Sequence, residues 1–234
     1  MNYISGGYYI VSVTERPNHM SEKVIPKSLF SASSCISPFY PSLDVLWNGD
    51  IEEKRKYAQT LHISTTEYKK LEKWIMHISD LNLFGYPNVF VDAEYAKTFH
   101  RNWLGQTLNT KIIGIATLGK YINELIEFEG MRDVLPEDRV VVENLLLRSN
   151  LISEAKRKLL GYEILGYIKG TGGFHSYLCN GLEKDYSKHF NFKVNNFGLI
   201  GTLEEAEKFA SFSNEEDLES EEVLWLPWAI YEYL

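Results

Sequence analysis

His175, Cys179 and Glu183 follow one another at intervals of four within FHSYLCNGLE, so a helix would carry an imidazole, a thiol and a carboxylate up one side. Thiol chemistry would pair Cys179 with His175 one helical turn away. Just upstream lies Gly170-Thr171-Gly172-Gly173, and the pocket of a small hydrolase or transferase would sit where the Gly172-Gly173 turn meets His175, with Glu183 or Cys179 assisting. The same stretch has a plainer meaning. Phe174, Tyr177, Leu178 and Leu182 share a face of a helix over Phe174 to Tyr186, and His175 and Cys179 then flank a core stripe and make local hydrogen bonds. Asn180-Gly181 is a helix-stop signal that would end the helix before Glu183 joins the set.

Other chemistries leave no mark. The six histidines are scattered, and HExxH, CxxC and HxH do not occur, so no metal is expected. No GxSxG elbow is present, and the glycine turn lacks the lysine that completes a phosphate loop. No cofactor is expected either, and the reading leans away from an enzyme.

The candidate stretch must be held by its neighbours. Tyr162 to Ile168 is a β-branched, aromatic run bounded by glycines and reads as a buried strand, as do Tyr8 to Thr14 and Lys111 to Leu118. Asp50 with Glu53, Ser64 with Glu67, and Thr202 with Glu205 are capping pairs that start helices, and Asp92 caps another. In the last of the paired helices Leu203, Ala206, Phe209 and Ala210 form the apolar face. Pro136 to Leu160 reads as one helix or two, broken near Ser149-Asn150. The Ser- and Pro-rich segment up to Asp44 reads as an ordered loop, because Leu29, Phe30, Ile36, Phe39 and Tyr40 are too apolar for a disordered linker. The expected fold is α+β (mixed α/β), with helices packed on a central sheet. A soft boundary falls between an N-terminal part, 1–132, and a C-terminal part, 133–234, unless the two are one continuous domain.

With 234 residues, 44% of them hydrophobic, the chain can bury a substantial core. Two cysteines far apart, no basic leader before an apolar run and no stretch of about 18 apolar residues suggest a cytoplasmic protein without a membrane partner. Net charge is −8 and unevenly placed. The last 34 residues carry ten acids and one base, Lys208, while the rest carries 22 acids and 23 bases. That end would repel nucleic acid and attract a basic protein. Glu215, Glu216, Asp217, Glu219, Glu221 and Glu222 would supply the field, with Trp225 and Trp228 as anchors if exposed. Alternatively the acids form a solvated loop and the tryptophans dock on the core, where Pro227 would confine their segment to a sheet edge. A third reading has this tryptophan-rich end pair with a second copy of itself, giving a homo-oligomer.

The section YEILGYI…FHSYLCNGLE…GLIGTLEEAEKFA, about a third of the chain, resembles segments of small acidic bacterial immunity proteins, which neutralise the toxin domains of polymorphic toxin systems. The resemblance implies a cytoplasmic, non-enzymatic protein that binds a toxin and blocks its active site. That class shares no functional residues across its many folds, so none is carried over.

Overall fold

The computed structural model describes residues 2–105, 108–154, 156–179, 181–215 and 222–233. Strand β1 (Tyr3–Ser12) is followed by the short strands β2 (Thr14–Glu15), β3 (Ser28–Leu29) and β4 (Phe39–Tyr40). A π-helical turn at Asp44–Asn48 leads into α1 (Ile51–Thr60) and α2 (Thr65–Asp80). Next come β5 (Phe84–Gly85), β6 (Val89–Phe90), α3 (Ala93–Phe99) and a second π-helical turn. β7 (Thr110–Leu118), α4 (Gly119–Glu129) and α5 (Val141–Leu147) precede β8 (Arg157–Ile168) and β9 (Phe174–Ser176). The chain closes with α6 (Leu182–His189), α7 (Leu203–Glu215) and β10 (Val223–Tyr233).

The strands build an antiparallel sheet in the order β5-β6-β1-β7-β10-β8-β9, with β4 paired to β1 beside β6. The three expected strands are all in it, and it draws on both sides of the boundary near residue 132. Alternation along each strand sends neighbouring side chains to opposite faces. On β10, Trp225, Ala229, Tyr231 and Tyr233 enter one core and Leu224, Leu226, Trp228 and Ile230 the other. The first core is roofed by α1, α2, α3, α6 and α7, the second by α4 and α5. The fold is thus α+β, with helices packed on both faces of a central sheet. Capping explains where several helices begin: the Asp50 side chain accepts from the Glu52 and Glu53 amides, Ser64 from Glu67, and Asp92 from Glu94.

Three expectations are corrected. Residues 174–186 are not one helix: Phe174–Ser176 pairs with β8, and the helix starts only at Leu182. Phe174 packs edge-on against Trp228 in one core while Tyr177, Leu178 and Leu182 enter the other, so the apolar stripe is split by the sheet. Gly170 to Gly173 is accordingly a hairpin turn. Gly172 has φ +67, and a Cβ there would lie 2.4 Å from Val140 Cγ2, so the tight turn requires glycine.

Among the described residues, the segment 136–160 is helical only over α5, and β8 already begins at Arg157. Finally, Pro227 does not place its strand at an edge, because β10 lies between β7 and β8. The proline is tolerated since β10 pairs with β7 only over residues 229–232, leaving position 227 without a ladder partner on that side. There the Thr117 hydroxyl donates to the Pro227 carbonyl at 3.1 Å.

Candidate functional site

The loop between β3 and β4 is the unexpected contributor. Its small polar residues bond to each other: the Ser31 amide donates to Ser37 Oγ at 3.0 Å and the Ser33 amide to Ser31 Oγ at 2.9 Å. Ile36 and Ser37 amides close back on the Ser33 carbonyl. The turn so formed buries the Ser31, Ser33 and Ser37 hydroxyls and leaves Cys35 exposed at its outer end.

Glu163, fully buried on β8, fastens that loop to the hairpin. Its carboxylate accepts from the Ser31 hydroxyl, from the Ala32 amide at 2.9 Å and from Ser176 Oγ at 2.7 Å. Burial pushes the Glu163 carboxyl above the ordinary range, against these three donors, which favour its charged form.

With β9 fixed, the backbone turns sharply after Ser176, the Cys179 amide donating to the Ser176 carbonyl at 2.8 Å. This brings Cys179 back beside His175. The Ser176 amide donates to Cys179 Sγ at 3.3 Å, and Ser33 Oγ lies 3.5 Å from the same sulfur. Across the gap, Cys35 Sγ stands 4.0 Å from His175 Nδ1. The donor atoms of Cys35, His175 and Cys179 all lie within 4.8 Å of one another, with Cys35 exposed and the other two half-buried. The Cys179 thiol, then the His175 imidazole, stabilise a thiolate at Cys35 and hold it well below the ordinary thiol range. Cys179 is pushed up, first by its bond to Cys35 and then by burial. Of the two, the exposed Cys35 is the more acidic thiol.

His175 and Cys179 thus meet as the sequence suggested, but through a strand and a tight turn instead of a helix. Glu183 does not join them. It lies buried in the first turn of α6, where Oε1 accepts from the Ser21 amide at 3.2 Å and Oε2 has no hydrogen-bond partner among the described residues. Cys35 takes the third place. Its only trace in the sequence was the apolar density of an otherwise Ser- and Pro-rich loop, which marks the segment as ordered without saying what it touches.

The acidic end divides differently from expectation. Glu216, Asp217, Glu219 and Glu221 lie outside the described residues. Glu215 closes α7, exposed, and Glu222 stands just before β10, where it pairs with Lys169 at 2.9 Å. Glu207 is held by Lys120 at 2.7 Å and by the Tyr121 hydroxyl at 2.9 Å, which lowers its carboxyl below the usual range. Trp225 and Trp228 are buried, so neither is a surface anchor. They belong to a strand that lies between β7 and β8 with both its faces covered. Both ends of the acid run are anchored nonetheless, because Asn214 Nδ2 donates to the Trp225 carbonyl and the Trp225 amide donates to Asn214 Oδ1, each at 2.9 Å.

The chain matches no family model, no curated protein and no solved structure. No helix among the described residues is long and apolar enough to cross a membrane.

Proposed function

We propose that this chain is a cytoplasmic, non-enzymatic binding protein that captures a basic protein, most simply a bacterial toxin domain acting on nucleic acid or another polyanion. The observation that carries the reading is the segregation of charge: ten acids against one base in the last 34 residues of a chain otherwise close to neutral. A toxin of that kind presents lysines and arginines around its cleft, and carboxylates opposite them would speed encounter by long-range attraction. The paired bonds between Asn214 and Trp225 support the reading, since they fix where the acid run leaves α7 and where it rejoins the sheet. The resemblance of the C-terminal third to immunity proteins points the same way. With Trp225 and Trp228 buried, short-range affinity must come from other side chains.

The test is co-expression with each basic toxin-like domain encoded in the neighbouring genes. The reading expects the chain to suppress the toxin's activity and to co-purify with it as a stable complex. Full toxin activity in the presence of folded chain would contradict it.

A second reading, a thiol-dependent hydrolase or transferase, is favoured by the 4.0 Å approach of His175 Nδ1 to Cys35 Sγ. Here Cys35 takes the nucleophile's place considered for Cys179, because it is the exposed thiol of the pair. Turnover of an activated thioester or ester that is lost in Cys35→Ser would support it. Turnover unchanged in that variant would remove it.

A further inference from the structure

We propose that Cys35, His175 and Cys179 form a three-ligand site for a thiophilic d10 cation, Zn2+ in the first instance, with a fourth position open to solvent. The claim is independent of partner binding and rests on the cluster's geometry. Zn–S bonds of about 2.3 Å and Zn–N bonds of 2.0–2.1 Å place sulfur and nitrogen roughly 3.6 Å apart around a tetrahedral ion. Cys35 Sγ and His175 Nδ1 are already 4.0 Å apart, and all three donors fall within 4.8 Å. Closing the set takes about 0.4 Å between Cys35 Sγ and His175 Nδ1 and at most about 1.2 Å between the other donors, within reach of side-chain rotation.

The supports match what a metal site needs. Two donors stand on one hairpin and its tight turn, the third on the serine-rich loop, and the buried Glu163 carboxylate binds both pieces to β8. Around Cys179 the Ser176 amide and the Ser33 hydroxyl are placed as outer partners of a thiolate, the arrangement that orients and tunes metal-bound sulfur. Two thiolates and one neutral imidazole balance the charge of a divalent ion. They also select a soft or borderline cation over Mg2+ or Ca2+, which prefer oxygen. On binding, the remaining thiol protons leave to solvent and no redox step is involved. Three protein ligands with an exposed fourth position are the pattern of a site that takes a water or an exogenous ligand.

The test uses the full chain, reduced under anaerobic conditions and titrated with Co2+ as the spectroscopic probe, followed by displacement with Zn2+. The expected result is saturation at one ion per chain, with a thiolate-to-metal charge-transfer band, tetrahedral d–d absorption and loss of both on adding Zn2+. In Cys35→Ser, whose side chain is exposed and whose fold is not at risk, Zn2+ affinity should fall by more than the roughly 10–100-fold typical of a lost outer-shell partner. Cys179→Ser and His175→Asn should do the same. A wild-type chain with no saturable thiolate band would overturn the proposal, and so would a band that survives intact in Cys35→Ser. Titration with Cu+ under the same conditions separates the two d10 ions: preference for Cu+ in a three-coordinate complex would keep the ligand set and replace the assignment to Zn2+.

Discussion

Ser176 Oγ donates to the buried carboxylate of Glu163 at 2.7 Å, and this bond joins the hairpin carrying His175 to the strand that also holds the Cys35 loop. The carboxylate is shared by three donors from two segments more than 130 residues apart in sequence. Replacing it with alanine leaves two hydroxyls and an amide unsatisfied in the interior, at about 1–3 kcal/mol for each such group. Glu163→Ala should therefore lower unfolding stability by roughly 3 kcal/mol or more. Glu163→Gln should stay within about 1 kcal/mol, since its amide nitrogen can donate to the two serine hydroxyls while its oxygen keeps the Ala32 bond. Urea denaturation of the two variants checks both values. Equal losses would mean that the charge, and not the bonds, holds the loop.

The same residue gives the fold a pH dependence of definite sign. Burial raises the Glu163 carboxyl above its unfolded value, so the folded state holds the proton more tightly than the unfolded one. Its contribution is fully present below the ordinary carboxylate pKa of about 4.3 and is lost as pH rises toward the folded value. The Tyr177 hydroxyl pKa is raised first by its own burial and then by the charged forms of Glu163 and Glu183. The stability of Glu163→Gln relative to wild type should increase from about pH 4.5 to about pH 7, as judged by denaturation midpoints across a pH series. A difference that does not change with pH would mean that the three donors cancel the cost of burial.

Trp228 separates a core role from an interface role. It is fully buried, its ring lies edge-on to Phe174 with centroids 5.1 Å apart, and it packs so closely over Gly6 that a Cβ there would come within 2.6 Å of it. Trp228→Ala should cost about 3–5 kcal/mol of stability. Once the variant is folded, partner association should be unaffected. Thermal unfolding measured beside binding would show this, and a binding loss without a stability loss would return the residue to the surface.

Much of the sheet could be read from the sequence because its strands carry dense β-branched and aromatic runs, and several helices because a side chain caps a free amide. The failures have common causes. FHSYLCNGLE fits a helical period and also a three-residue strand followed by a turn, and pairing with β8 decided between them. Pro227 marks an edge only if both sides of a strand are fully paired, and here one ladder begins two residues later. Cys35 was hidden for another reason: its partnership with His175 spans 140 residues and is created by the Glu163 anchor, which no local spacing encodes. His175 and Cys179 were legible as a pair because four residues keep them close in either conformation.

The central claim, capture of a basic partner by the acidic end, is tested most directly by the rate of association. We expect Glu216→Lys, Asp217→Lys and Glu219→Lys together to slow association with the cognate toxin domain by about tenfold or more at low salt. Dissociation should change little, and the gap between variant and wild type should close as the Debye length falls from about 10 Å at 0.1 M salt to about 3 Å at 1 M. Stopped-flow kinetics at the two salt concentrations give the answer. An association rate that responds neither to the reversed charges nor to salt would contradict the account.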